Sequence, residues 1–285
     1  MDLEIRRAQP TDTGACGRIC YEAFAAIAGA HNFPADFPNA EIASGLISGM
    51  IDHDGYFGVV AERNGKLVGS NFLDERNPIS GVGPITVDPA VQNKGVGARL
   101  MREVLDRSQA KGFAGVRLVQ SGYHSRSLSL YSKLGFEVRE PLACMQGAAI
   151  KEAFAGYSVR KATQADEETC NRLCLHVHGH HRAGELRDAV AKGAARVVER
   201  AGRISGYTTQ IAFFGHSVGE TVDDLKALIG AAESFAGPGI LVPMRNGELL
   251  RWCLAKGLQV TQTMNLMAAG LYGEPAGAYL PSVIY

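Results

Sequence analysis

The chain repeats itself, and no other feature limits its folding options as much. The segment LEIRRAQPTD, from Leu3, is matched by YSVRKATQAD, from Tyr157, about 154 positions later. Both read as a short strand leading into a capped helix. The same offset places Cys16 on Cys170 and Cys20 on Cys174, so a thiol pair one helical turn apart recurs. Further on, VVAERNGKLVG from Val59 and VVERAGRISG from Val197 each read as a strand, a polar glycine turn and a second strand. GFAGVRLV from Gly112 pairs with SFAGPGILV from Ser234, and the match continues from LYSKLGFEV to WCLAKGLQV. Such a chain folds as two copies of one unit, and its 285 residues suffice for two domains of about 150 each. The sequence divides into domains at 1–146 and 157–285, joined by GAAIKEAFAG, a linker small and flexible in composition.

The copies are unequal. The second has lost most of GAHNFPADFPNA and most of NFLDERNPISGVGPITV, and a domain short of an interior strand is better suited to support than to catalysis. In the first copy, Leu3 to Arg7 alternates as a strand and a helix runs through Cys16, Cys20 and Phe24. Glu41 to Ile51 has helical period. Gly58 to Glu62 and Lys66 to Leu73 form a hairpin across Asn64-Gly65, and Val82 to Val87 is a further strand. Gly97 to Lys111 is an amphipathic helix, Gly115 to Gln120 a strand, Ser125 to Leu134 a helix stopped by Gly135, and Val138 to Met145 is extended. The fold class is α/β (α+β): a mixed, mostly antiparallel central sheet flanked by helices.

Charge is balanced, with 29 Lys plus Arg against 29 Asp plus Glu. That gives no support to a nucleic-acid or acidic-membrane partner, which calls for basic excess. No apolar run is long enough to span a bilayer, and MDLEIRRAQPTD lacks the pattern of a secretory signal. A cytoplasmic protein is expected. Six cysteines in so long a chain read as buried thiols.

The chemistry concentrates in ITVDPAVQNKGVGARLM, residues 85 to 101, where a strand meets a Gln-Asn-Lys-Gly-Val-Gly turn that opens a helix. The first amides of a helix have no internal partner, and the helix dipole adds positive potential, so such a turn attracts phosphate. Gly95 and Gly97 let the backbone approach a ligand, and Lys94 adds a charge. A dinucleotide fingerprint fails because position 100 is Leu, and a Walker loop fails for want of Gly-Lys-Ser/Thr. On spacing alone, an ordinary strand-to-helix turn is the alternative.

Gln92-Asn93-Lys94-Gly95-Val96-Gly97, preceded by Val87-Asp88-Pro89, resembles the Gln/Arg-x-x-Gly-x-Gly/Ala motif of the GNAT N-acetyltransferase superfamily. Ser127-Leu128-Ser129-Leu130-Tyr131 through Gly135-Phe136 resembles that family's second motif. The resemblance covers the core of residues 82 to 138 and fits the strand order of residues 1 to 146. It implies an acetyl-CoA-dependent transfer to a primary amine by direct attack in a ternary complex. Amides from Gln92 through Asn93, Lys94, Gly95, Val96 and Gly97 to Ala98 would hold the pyrophosphate. Backbone groups of Ile85, Thr86 and Val87 would pair with the pantetheine arm and polarise the thioester carbonyl. His124 and Ser127 would also contact the cofactor, and Tyr131 would protonate the departing thiolate. The alternative for Tyr131 is a packed aromatic. The family often has Asn where this sequence has His124, which can titrate near neutrality.

An attacking amine must be neutral, so some group accepts its proton. The strand Val82 to Val87 offers no carboxylate, which leaves Glu75, Asp74, Glu22 and His124 as candidates. Phe33 and Phe37, with Pro34 and Pro38, sit in a loop that would cover the acceptor side of the cleft and suit a substrate with apolar character. Cys170, Cys174 and the histidines from His176 to His181 suggest a metal, but the same thiol spacing recurs at Cys16 and Cys20 without histidines, so no metal is expected. In the second copy, Phe214 to Gly219 takes the register of the phosphate turn and Cys253 that of Tyr131, so that copy is degenerate. The acceptor is a small molecule or a peptide, and the assembly a monomer with pseudo-dimeric copies or a homodimer. The competing reading is a non-catalytic acyl-CoA-binding or regulatory module.

Overall fold

A computed structural model describes residues 3–285. The first copy runs β1 (Leu3–Arg7), α1 (Thr13–Ala30), α2 (Ala40–Ile51), β2 (Tyr56–Arg63), β3 (Lys66–Asp74), β4 (Ser80–Val82), β5 (Thr86–Val87), α3 (Val96–Ala110), β6 (Gly115–Ser121), α4 (Ser125–Lys133) and β7 (Glu137–Gln146). The second runs β8 (Tyr157–Lys161), α5 (Glu167–His178), α6 (Ala183–Ala191), β9 (Arg196–Arg200), β10 (Arg203–Thr208), β11 (Ser217–Gly219), α7 (Val222–Gly230), β12 (Ile240–Pro243), α8 (Gly247–Ala255), β13 (Gln259–Gly270) and β14 (Ala278–Leu280). No helix among the described residues is long and apolar enough to cross a membrane.

The repeat in sequence is a repeat in ion pairing. Arg6 on β1 binds Asp12 at 2.7 Å and Glu62 of β2 at 2.6 Å. Arg160 on β8 binds Asp166 at 2.8 Å and Glu199 of β9 at 2.7 Å. In each copy the aspartate also accepts from the backbone at the start of the next turn, Gln9 N in one and Thr163 N in the other. One arginine thus ties the first strand to its neighbour and to the entry of the first helix. Behind these ties the paired thiols are fully buried, Cys16 and Cys20 under one copy and Cys170 and Cys174 under the other.

The sheets do not respect the division between the copies. One sheet has the order β1-β2-β3-β4-β6-β13-β7-β12, with β5 also on β3; the other has the order β14-β11-β10-β9-β8. β13 lies between β6 and β7, antiparallel to both, and β7 lies between β13 and β12. The sequence matches equate β6 with β12 and β7 with β13. The matched strands β7 and β13 are therefore each bonded to the strand that precedes the other, β7 to β12 and β13 to β6, a reciprocal exchange within one chain. The core confirms the interlock, because Leu142 and Cys144 of the first copy pack in one cluster with Leu241, Met264 and Leu266 of the second.

Three expectations need correction. Val82 to Val87 is not one strand: Leu73 pairs with Val82 and Ser70 with Thr86, so two residues of β3 face the three residues 83–85. The extra residue bulges and ends the pairing there. The linker is not loose, since Ile150 and Phe154 pack on the second core, Phe154 lies 6.0 Å from Trp252, and Glu152 N donates to Gly230 O at 3.0 Å. Its two large apolar residues outweigh its small ones. Finally, the register that set Phe214 to Gly219 against the phosphate turn does not hold in space, because Ser217 to Gly219 is strand β11.

Candidate active site

The cleft follows from a parting of strands. β4 and β6 run parallel and are paired only at Ser80 with Val116 and Gly81 with Arg117. Beyond that point the bulge carries β5 onto β3, while β6 continues against β13. Between the parted strands opens a cleft of about 600 Å³, lined by Val82 to Val87 on one side and Leu118 to Ser121 on the other. That is an ordinary size for a ligand site.

The phosphate turn forms one end. Asn93 and Gly95 both take left-handed backbone, with φ of 63° and 81°, and α3 starts at Val96 with no side chain capping it. Its first amides are left for a ligand, and the alternating backbone makes a concave nest of N–H groups. Gly97 tests the fit. A Cβ there would meet only Leu130 Cδ2 at 3.6 Å and Val87 Cγ2 at 3.8 Å, so protein packing does not demand glycine. An open space at a helix start suits a pyrophosphate. Above the turn, Arg126 of α4 donates to Asn93 Oδ1 at 3.1 Å and Gln92 Oε1 at 3.0 Å, while Gln92 Nε2 donates to Val87 O at 3.1 Å. The second copy lacks all of this. Thr221 caps α7, and the carboxylate of Asp224 sits at that helix start, accepting from Thr221 N at 2.8 Å. An anion there would meet a negative charge.

Of the residues singled out from the sequence, Ile85, Thr86, Val87, Gln92, Asn93, Gly95, Val96, Gly97, Ala98, His124, Ser127, Tyr131 and Phe37 line the cleft together. Lys94 does not; it is exposed beside the turn, and Arg126 takes the place over it. Phe33 also stands off the cleft, stacked on Tyr123 with centroids 4.2 Å apart. Tyr131 is buried in the wall, edge-on to Phe136. Burial holds its phenol pKa above the ordinary value, so it is a protonated donor.

The carboxylates proposed as base are spoken for. Glu75 is locked in a two-point pair with Arg107 at 2.7 and 3.0 Å, Asp74 with Arg76 at 2.6 Å, and Glu22 with Arg18 on the exposed face of α1. None of the three lines the cleft. His124 does, but its Nδ1 accepts from Ser127 N at the start of α4, and burial lowers its pKa, with Arg126 adding to the shift. It is a neutral cap. The carboxylate that does line the cleft is Asp36, in the loop between α1 and α2. Burial raises its pKa to about 6. Sequence reasoning passed over it although it sits in the loop already singled out by Phe33 and Phe37.

Sequence reasoning also missed what the second copy brings. Phe213 and Phe214, from the loop between β10 and β11, line the cleft with Val283 and Ile284. Val283 N donates to Phe213 O at 2.9 Å, fixing the two segments together. The histidines lie elsewhere: His178 and His216 are buried against each other, Nε2 to Nε2 at 3.2 Å, and His180 bonds the Tyr285 hydroxyl at 3.0 Å. Among the described residues no group of three or more His, Cys, Asp or Glu side chains is arranged to hold a metal.

Comparison with known proteins agrees with this geometry. Residues 22–136 match the family model described as acetyltransferase (GNAT) family. An uncharacterised N-acetyltransferase of Methanocaldococcus jannaschii is 30% identical over 96 residues, which is 31% of this chain and 42% of that protein; the chain thus spans under half the length of that curated relative. Two crystal structures share the fold over nearly the whole chain. One, a candidate acetyltransferase of Pyrococcus horikoshii, superposes with a TM-score of 0.76 at 18% identity, covering 97% of this chain and 92% of that one. The other, a GCN5-related N-acetyltransferase of Sphaerobacter thermophilus, gives 0.61 at 16% identity, covering 95% and 96%. Both motifs of the first copy are gathered on one cleft, and it is this copy, over residues 22–136, that is similar to the GNAT acetyltransferase family.

Proposed function

We propose that the chain is an N-acetyltransferase that moves an acetyl group from acetyl-CoA to a primary amine. The observation that carries the reading is the uncapped helix start at Gly95 to Gly97, opening on a gap between two parted strands. Acetyl-CoA bound there supplies the acetyl group as a thioester. The amides from Gln92 to Ala98, with Arg126 above them, hold its phosphates by charge-assisted hydrogen bonds. The free backbone edge of residues 85–87 binds the arm and donates to the thioester carbonyl as charge develops on it. Tyr131, protonated in the wall, gives its proton to the departing sulfur. One site per chain is expected, because Asp224 blocks the matching position in the second copy. The interlocked copies act as a pseudo-dimer, and the six buried free thiols suit the reducing cytoplasm.

Calorimetric titration with acetyl-CoA and CoA tests this directly. Saturable binding at one site per chain is expected, abolished by Gly97→Trp, whose side chain fills the space beside Leu130 and Val87. Turnover of amines, read as thiol release, should fall strongly in Tyr131→Phe while binding persists. Absence of binding in the parent protein would overturn the proposal, and binding without turnover of any amine would leave an acyl-CoA-binding module instead.

A further inference from the structure

The cleft contains one carboxylate that the protein itself leaves unanswered. Asp36 lines the cleft, and its hydrogen bond among the described residues is the one Gln262 Nε2 donates at 3.4 Å. Among the described residues no lysine, arginine or histidine pairs with it. Its titratable neighbours are the Cys20 thiol on α1, the Cys144 thiol on β7 and the Tyr123 phenol, and each is held in its neutral form by burial. The other end of the Gln262 amide, Oε1, is buried without a donor. Asp36 therefore stands in the cleft with one amide donor and no cation. Every other carboxylate weighed as a base has an arginine partner.

The surroundings give the rest of the ligand. Phe24, Ile27, Phe37 and Leu46 from the first copy, with Phe213 and Phe214 from the second, share the cleft with Asp36. An isolated carboxylate in such a wall is costly unless a cation meets it. A protonated amine supplies that cation, and an alkyl or aryl body fills the apolar wall. A carboxylate on the acceptor would be repelled by Asp36.

We propose that Asp36, positioned by Gln262 of the second copy, seats the ammonium of an apolar primary amine and takes the proton that the amine must lose before attack. The inference rests on the acetyltransferase reading. The step balances: the ammonium gives one proton to the Asp36 carboxylate, and the freed nitrogen lone pair forms the C–N bond as the thioester C–S bond breaks. The sulfur takes its proton from Tyr131, which is reprotonated from solvent as Asp36 and the new amide nitrogen release theirs, so each turnover yields one amide, one thiol and one proton. Asp36 acts as a base only when ionised, so kcat/KM has an acid limb near pH 6.

The test uses the full chain with 2-phenylethylamine and hexylamine as probes, against ethanolamine and alanine as polar and carboxylate-bearing controls. The apolar amines should be preferred at least tenfold. Asp36→Asn should lower kcat/KM for them about 100-fold and remove the acid limb, with acetyl-CoA affinity unchanged; that unchanged affinity also reports that the variant is folded. Asp36→Glu should restore the limb with part of the activity. Full turnover by Asp36→Asn with its acid limb intact, or a preference for the controls, would overturn the inference while leaving the acetyltransferase reading in place. Failure of the parent protein to bind acetyl-CoA would overturn both.

Discussion

Asn265 donates from Nδ2 to Gln120 Oε1 at 2.8 Å, across the seam where β13 of the second copy meets β6 of the first. Gln120 is 2% exposed, and its Nε2 in turn donates to His124 O at 2.9 Å and Ser127 Oγ at 3.1 Å. The second copy thus holds the residue that holds the start of α4, the helix that carries Arg126 and Tyr131. Asn265→Leu leaves the Gln120 oxygen buried without a donor, at a cost of about 1 to 3 kcal/mol. The variant should melt several degrees lower and bind acetyl-CoA more weakly. Unchanged melting and affinity would show that the seam does not support the site.

The exchange of β7 and β13 predicts that the first copy is not a free-standing domain. Residues 1–146 alone would lack β13, leaving β6 and β7 without the strand that joins them. Open edges of that kind pair with other chains. Light scattering on the purified fragment should find oligomers or aggregate, whereas a folded monomer that binds acetyl-CoA would contradict the interlock.

Much of this was legible because it is local. The strand, cap and helix of LEIRRAQPTD return in YSVRKATQAD because the tie of Arg6 to Asp12 is remade by Arg160 and Asp166 within six residues. The turn at Gln92 to Gly97 is likewise written in adjacent residues. The exchange of β7 and β13 was not legible, since alternation along a strand records which face is apolar and not which strand lies beside it. Asp36 was passed over for a related reason. Its lack of a cation is a fact about the whole cleft, and its one partner, Gln262, is 226 positions away.

Arg126 tests the phosphate end. Its guanidinium is already held over the turn by Asn93 and Gln92, so it loses little freedom when a phosphate arrives. Arg126→Ala should weaken acetyl-CoA binding about tenfold, the worth of a charge-assisted hydrogen bond, and make the affinity less sensitive to salt. Lys94→Ala should matter less, because Lys94 is exposed and off the cleft. The opposite ranking in titration calorimetry would return the phosphate contact to Lys94.

Asp36 should also show itself in stability. Its pKa in the folded chain is raised by burial from 3.8 to about 6, so the folded state takes up this proton more readily than the unfolded one. The contribution of the group to stability is therefore fully present below about pH 4 and is lost as pH rises through about 6. Asp36→Asn removes the half-buried charge and should melt above its parent at pH 7.5, the difference closing as pH falls to 4. A carboxylate kept for binding weakens the fold that carries it, whereas a purely structural one would make the variant less stable at neutral pH.

The buried pair His178 and His216 works with the opposite sign. Their Nε2 atoms are 3.2 Å apart, so one ring donates and the other accepts, and both are neutral. Burial lowers both pKa values, and the positive charges of Arg182, and for His178 also Arg117, oppose protonation further. His180, Tyr207 and Tyr279 pack on the two rings, and the nearby Glu185 is held by Arg182, whose Nε donates to it at 2.6 Å. His180 itself is lowered to about 4, chiefly by burial. Once unfolded, each ring regains a pKa near 6.5, so below that pH the unfolded chain binds protons that the folded one refuses. Stability is then lost as pH falls below about 6.5. For the two buried rings the slope reaches about 2.7 kcal/mol per pH unit. Urea unfolding at pH 7.5 and pH 5.0 measures it. His216→Gln should reduce the drop between those pH values by up to about 1.4 kcal/mol per unit, Asp36 acting equally in variant and parent. A drop of the same size in both would mean that His216 is protonated in the folded chain.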